Sequence, residues 1–165
     1  SFTGIQKFFD DARDGKLPEV SYIVAPMQLS EHPPYMPMDG AWIQGEVAKA
    51  VMHGKNWDST ALIYSYDETG GWADHVVSPY PPQGEESEWI EDPYDKSNGI
   101  TPIGPGFRLP FYIVSPWTSG GHVFTEHAAH ESLIMFLEQW ALAVGKPFTS
   151  EEIPSWRREQ LSELV

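Results

Sequence analysis

The sequence contains no cysteine. Disulfides, thiolate metal sites and a cysteine nucleophile are therefore excluded within this chain. Basic residues are scarce, with 10 Lys plus Arg against 24 Asp plus Glu and a formal net charge of −14. A surface this acidic argues against nucleic acid or an anionic membrane as a partner held by bulk charge. No apolar run approaches the roughly 18 residues of a membrane span. The opening residues, Ser-Phe-Thr-Gly-Ile-Gln, lack a signal-peptide pattern, as those of a mature or excised chain also would. Several catalytic motifs are missing too. There is no Gly-x-x-x-x-Gly-Lys loop, no His-Glu-x-x-His and no Gly-x-Ser-x-Gly, and no Ser or Thr stands out as an activated nucleophile. What is present is a chain of 165 residues, 41% hydrophobic, with seven Trp, seven Tyr and eight Phe. That is enough to build a core, and too aromatic for a disordered chain.

The hydrophobic spacing predicts α/β architecture. Phe2, Ile5, Phe8, Phe9 and Ala12 recur at helical spacing, with Gly15 as a stop. Val20–Ala25 reads as a buried strand ended by Pro26, and an irregular loop follows over 28–38. Asp39 is placed to cap a helix running to about 53, with Ile43, Val47 and Ala50 on one face. Ala61–Tyr66 and Leu109–Ser115 read as second and third strands, separated by a long acidic, Pro- and Gly-rich loop over 78–107. A helix from about 130 directs Leu133, Ile134, Phe136, Leu137, Trp140 and Ala141 inward and stops at Gly145. A polar helix over 154–164 docks through Trp156 and Leu161. Alternating helices and strands imply a largely parallel sheet flanked by helices. Three strands are narrow for two-sided burial, so the sheet is expected to be incomplete in this chain and part of a larger domain.

In open α/β sheets, ligands bind where strands end. After the three expected strands come Glu31-His32, then Asp67-Glu68 and Asp74-His75, then Trp117, His122, His127 and His130. Asp67-Glu68, followed by Gly70-Gly71, offers hard oxygen ligands for a divalent cation, or else a polar turn in which Asp67 bonds backbone amides. Asp74-His75 is either a ligand with an orienting carboxylate or a structural pair pinning the loop. His32, in a proline-bracketed loop, is either a donor to an anion or leaving oxygen, or a solvated side chain. Among the later histidines, His130 at a helix N-terminus is the best placed, and His53 near a helix C-terminus reads as structural. Arg108 either binds phosphate or braces the long loop against its acids, and the acidic loop makes bracing the safer reading. Trp72 and Trp117 are either an apolar wall for substrate or core residues.

The stretch Asp67-Glu68-Thr69-Gly70-Gly71-Trp72-Ala73-Asp74-His75-Val76 resembles the Asp-Glu-x-Gly-Gly-x-x-Asp-His-Val signature of a known phosphoesterase family. That family comprises bacterial and fungal phosphatidylcholine-type phospholipases C and acid phosphatases. Three further stretches agree in the same order: Gly15–Ser21 with a Gly-x-Leu-Pro-x-Val-Ser lead-in, Glu31-His32-Pro33, and Gly106–Gly121 with Gly-x-Arg-x-Pro and Ser-Pro-Trp-x-x-Gly-Gly. The resemblance implies an alkaline-phosphatase-like α/β fold and hydrolysis of phosphate esters by a Ser or Thr nucleophile with a divalent metal ion. It implies Asp67 and Glu68 as metal ligands, and His32 at the phosphoryl group or leaving oxygen. His75 and His130 would serve the catalytic site, with Asp74, Trp72, Trp117 and His122 toward substrate. It favours a secreted or periplasmic setting.

The family's nucleophile and Asn/Glu metal motif lie in an N-terminal half with no counterpart in these residues. The chain is therefore expected to be the C-terminal portion of one phosphoesterase domain, supplying part of a site that the rest of the protein, or a second chain carrying the N-terminal half, completes. Two positions depart from the pattern. Ala129 precedes His130 where the family has Asp, and His122 stands where it often has Trp. The alternatives are an anion- or metal-binding module without turnover, and a sulfate-ester hydrolase, which needs a modified Cys or Ser nucleophile.

Overall fold

The computed structural model describes residues 2–165, with side chains from residue 4 onward, so the Phe2 side chain lies outside the described residues. Two compact units emerge. One runs to Trp72 and resumes over Leu109–His122; the other comprises Ala73–Arg108 and Val123–Val165.

The first unit begins with helix α1 (Phe2–Asp14). It ends at Gly15, whose N–H and that of Lys16 bond the carbonyls of Ala12 and Asp11, as expected for a glycine stop. Helix α2 (Pro37–Met52) starts earlier than predicted. Met36 is the N-cap and Pro37 the first helical residue, where a missing N–H costs no intrahelical bond, while Asp39 falls in the first turn near the positive end of the dipole. The buried face of α2 is Gly40, Ile43, Val47 and Val51, at three-four-four spacing, and the helix packs against α1. Val51 takes the place expected of Ala50.

Strands β1 (Leu62–Ser65) and β4 (Phe111–Val114) fall inside the predicted second and third strands, but they pair antiparallel, with Tyr64 opposite Tyr112. Their rings lie 4.9 Å apart. The expected largely parallel sheet is not what the described strands form. The strand predicted over Val20–Ala25 is a further correction: the segment carries no strand pairing, and Tyr22 is 90% exposed and Val24 79%. High β propensity expresses a fit to a paired, half-buried surface. No neighbouring strand among the described residues supplies one.

In the second unit, the long loop expected over 78–107 contains a hairpin of β2 (Trp89–Glu91) and β3 (Ile100–Pro102), with Ile90 opposite Thr101. Its turn is built by acids rather than by apolar residues, which is why no hydrophobic period marks it. Asp92 accepts from the backbone N–H of Tyr94 and Asp95 and from Asn98 Nδ2. Helix α3 (His130–Ala143) buries Ser132, Met135, Glu138 and Ala141; Ile134, predicted inward, is exposed. Helix α4 (Ser155–Gln160) is shorter than expected, but Trp156 and Leu161 are both buried as predicted. Met135, Ile153 and Leu161 form the local core.

Two part-buried arginine pairs, each on a buried glutamate, hold this unit. Arg157 meets Glu88 in bidentate fashion, Nε to Oε1 at 2.6 Å and Nη2 to Oε2 at 2.9 Å, and Nη1 reaches Glu131. Arg158 grips Glu138 at 2.8 and 2.9 Å, and Glu138 also accepts from the Ser150 N–H. Both glutamates are held below the ordinary carboxylate range, chiefly by hydrogen bonds from the guanidinium groups. No described helix is long and apolar enough to cross a membrane.

Candidate functional site

In the first unit, the residues singled out are His32, Asp67, Glu68, Trp72, Trp117 and His122. His32 follows Glu31, whose φ of 69° is the left-handed region that a residue with a Cβ rarely occupies. Such a conformation costs roughly 1–3 kcal/mol and persists only where surrounding contacts impose it. Those contacts are hydrogen bonds to both carboxylate oxygens. Gln44 Nε2 donates to Glu31 Oε1 at 2.8 Å, and the Tyr66 hydroxyl donates to Oε2 at 2.9 Å. The Tyr112 hydroxyl donates to Gln44 Oε1, which turns the Gln44 amide N–H groups toward Glu31. The Tyr64 hydroxyl bonds the Gln44 carbonyl at 2.7 Å.

Gly40 makes room for this arrangement: a Cβ there would lie 2.1 Å from Glu31 Cγ. Burial pushes the Tyr64 hydroxyl up to about 12 and raises Tyr66 and Tyr112, so all three remain protonated donors at neutral pH.

His32 itself is exposed, with Nδ1 2.7 Å from the Pro33 carbonyl oxygen. A carbonyl only accepts, so Nδ1 carries the proton, and Nε2 is the nitrogen left for chemistry. Asp67 and Glu68 sit just past β1, exposed, at the start of a turn in which Gly70 and Gly71 both take positive φ (64° and 85°). The Glu31–Tyr66 bond thus ties the residue before His32 to the residue before Asp67. Trp72 and Trp117 are exposed at 80% and 66%, in keeping with a surface rather than a core role in this unit. Trp117 lies in a short 3-10 turn, where its N–H donates to the hydroxyl of buried Ser115 at 3.3 Å. His122 is exposed, its ring beside Gly120.

The second unit holds Asp74, His75 and His130. Asp74 is fully engaged. Arg108 donates Nε to one oxygen and Nη2 to the other at 2.9 Å, and the N–H groups of His75 and Val76 add 2.8 and 3.2 Å bonds. Its carboxyl is held well below the usual range, first by the Arg108 hydrogen bonds. Arg108 therefore braces the segment after Trp72, through Asp74 and not through the acids of the 78–107 loop as expected.

The His75 side chain is almost wholly exposed, with Nδ1 4.0 Å from Asp74 Oδ1. An open cleft of about 580 Å³ lies beside this pair, lined by His75, Val76, Tyr80, Pro81, Ile103 and Phe107 among others. His130 is the first residue of α3, the position assigned to it, and His127 precedes the helix, so the two do not share a helical face. The Ser132 hydroxyl accepts from the Ala129 N–H at 3.1 Å and orders this helix start.

Asp67 and Glu68 are oxygen donors of the class a hard divalent cation takes. Among the described residues, no group of three or more His, Asp or Glu is arranged to hold a metal ion. A metal at Asp67 and Glu68 would need further donors. The residues that sequence reading missed are Gly40, Gln44, Tyr64, Tyr66 and Tyr112. Gly40 and Gln44 lie in α2, Tyr64 in β1 and Tyr112 in β4, while Tyr66 directly follows β1, and none of them stands in a motif of its own.

The family model described as Phosphoesterase family matches residues 1–142. A non-hemolytic phospholipase C of Burkholderia pseudomallei is 39% identical over 136 residues, covering 78% of this chain and 19% of the relative. A hemolytic phospholipase C of Pseudomonas aeruginosa is 34% identical over 167 residues, 98% of this chain and 22% of the relative. Phospholipase C B of Mycobacterium tuberculosis is 36% identical over 164 residues, 96% of this chain and 30% of the relative. The chain thus spans less than a third of the length of these curated relatives.

Proposed function

This chain belongs to the phosphoesterase family, and we propose that it supplies part of the site of an enzyme that hydrolyses phosphate esters, of the phospholipase C type. The observation that carries this reading is the family match over residues 1–142, which takes in His32, Asp67-Glu68, Asp74-His75 and His130 together. The relatives' names favour phospholipase C over acid phosphatase action. The proposal extends to an alkaline-phosphatase-like domain in which this chain is the C-terminal portion and the nucleophile and remaining metal donors come from other residues.

His32 acts at the leaving oxygen. Its Nδ1–H is held by the Pro33 carbonyl, so Nε2 is the nitrogen that faces the ester: the imidazolium form gives its Nε2 proton to the leaving oxygen as the nucleophile bonds to phosphorus and the P–O bond breaks, and is left neutral. Asp67 and Glu68 contribute two oxygen donors to a divalent cation, which when bound would offset charge developing on the phosphoryl oxygens. Asp74, held by Arg108, keeps the His75 segment in place beside the cleft, where an organic part of the ester has room. His130 presents its imidazole at the start of α3. Trp72, Trp117 and His122 are exposed side chains suited to contacts with the substrate.

The test uses the intact protein that carries this chain. Turnover of p-nitrophenyl phosphate and phosphatidylcholine is assayed with and without chelator, alongside elemental analysis. Chelator-sensitive turnover, abolished together with bound metal in Asp67→Ala while the circular dichroism spectrum is kept, supports the reading. Full activity and unchanged metal content in Asp67→Ala would sink it. Metal and phosphate binding without turnover would favour a binding module instead.

A further inference from the structure

We propose that Glu31 is a positioning residue for His32, held by Gln44 and Tyr66 so that the His32 loop is referenced to both helix α2 and strand β1. This rests on the reading that His32 acts on the phosphate ester. The hydrogen bond of the His32 ring goes to Pro33, one residue away. It orients the ring within its loop but cannot say where the loop stands. Glu31 supplies that missing reference. Its two oxygens are taken by two different elements: Oε1 by Gln44 of α2, and Oε2 by the hydroxyl of Tyr66 at the end of β1. Gln44 Nε2 lies 3.0 Å from the Tyr66 hydroxyl as well, which closes a three-membered ring of polar contacts. The amide of Gln44 is itself oriented from β4, through the Tyr112 hydroxyl.

Two features mark the arrangement as imposed rather than incidental. The Glu31 backbone is held in the left-handed region, and the helix surface opposite it is a glycine with space for no Cβ. With both oxygens occupied, Glu31 is a brace and not a free acid. Because Tyr66 directly precedes Asp67, the same bond sets the spacing between the His32 loop and the acidic turn. Orienting partners of this kind lie behind the reacting groups of many sites and act through them.

The experiment is a set of cycles in the intact protein: Glu31→Ala, Gly40→Ala and Tyr66→Phe, each alone and combined with His32→Ala, with kcat and KM for p-nitrophenyl phosphate as readout. Glu31→Ala and Gly40→Ala should lower kcat about 10–100-fold, the range for loss of an orienting partner, with KM within about twofold. Tyr66→Phe should give a smaller fall in the same direction. On the His32→Ala background each should cost less than about twofold more, because residues acting through one group are non-additive. A merely structural role would lower both backgrounds alike.

An unchanged kcat in Glu31→Ala, or an equal loss on both backgrounds, would overturn the inference. If Glu31→Ala does not fold, Gly40→Ala and Tyr66→Phe decide by the same comparison. Wild-type turnover in His32→Ala alone would defeat the reading of His32 and this inference with it. Loss there, with silent Glu31→Ala and Gly40→Ala, would defeat the inference alone.

Discussion

Replacing Arg157 by Met should destabilise the second unit by several kcal/mol, and by an amount that depends on pH. Arg157 and Glu88 are 15% and 6% exposed at the side chain, and the guanidinium also reaches Glu131 near the start of α3. The substitution leaves the Glu88 carboxylate buried without its cation. Removing one partner of a buried pair typically costs about 3–5 kcal/mol, because the other charge is stranded. Protonation of Glu88 limits the stranded-charge part. Taking an ordinary Glu value near 4.3, keeping it neutral costs about 3.7 kcal/mol at pH 7 and about 1 kcal/mol at pH 5.

The sign follows from proton counts. In the variant the folded state binds a proton that the unfolded state lacks between these pH values, so variant stability rises as pH falls. In the parent, Glu88 is depressed and ionised in both states over that range, so its contribution is constant. The gap between the two should therefore narrow by up to about 2.7 kcal/mol from pH 7 to pH 5. Urea unfolding followed by tryptophan fluorescence measures it, with Glu88→Gln/Arg157→Met as the control in which the Glu88 charge is absent and only the Glu131 contact is lost. A loss under about 1 kcal/mol at pH 7, or the same loss at both pH values, would refute the argument.

Stability of the protein should hold above the ordinary glutamate range and fall as pH drops through the depressed values of Glu88 and Glu138, since the unfolded state takes up protons first; a melting temperature that rises between pH 5 and pH 3 would contradict this. Met135 is 1% exposed at the centre of the α3–α4 core, so Met135→Ala should cost roughly 2–5 kcal/mol in urea unfolding. In Arg108→Met, the Asp74 carboxyl should titrate at higher pH, while the His75 and Val76 amides still hold it partly down. A carbon-detected NMR titration reads the midpoint, and an unchanged midpoint would mean that Arg108 is not its main partner.

The sequence was informative wherever a local rule decides. Gly15 ends α1 because its own backbone and that of Lys16 complete the cap. Ile43 and Val47 face inward because helical spacing puts them on one side. Leu62–Ser65 and Phe111–Val114 are strands where β-branched and aromatic residues cluster. The residues of the candidate site were legible for a different reason, because Glu31-His32-Pro33 and Asp67–Val76 are contiguous strings that match a family pattern without knowledge of the fold.

Tertiary structure decided everything that depends on a partner distant in sequence. Val20–Ala25 has the composition of a strand but no neighbour to pair with, while β2 and β3 are runs of only three residues, too short to show a period, and pair across their acidic turn. The antiparallel sense of β1 and β4 is set by which ends meet, and composition carries no record of that. Glu31 bonds Tyr66 across 35 residues, and Arg157 bonds Glu88 across 69. A hydrogen bond or ion pair needs a donor and an acceptor within about 3 Å with aligned geometry. Sequence names the groups, but only the folded backbone brings them to that distance.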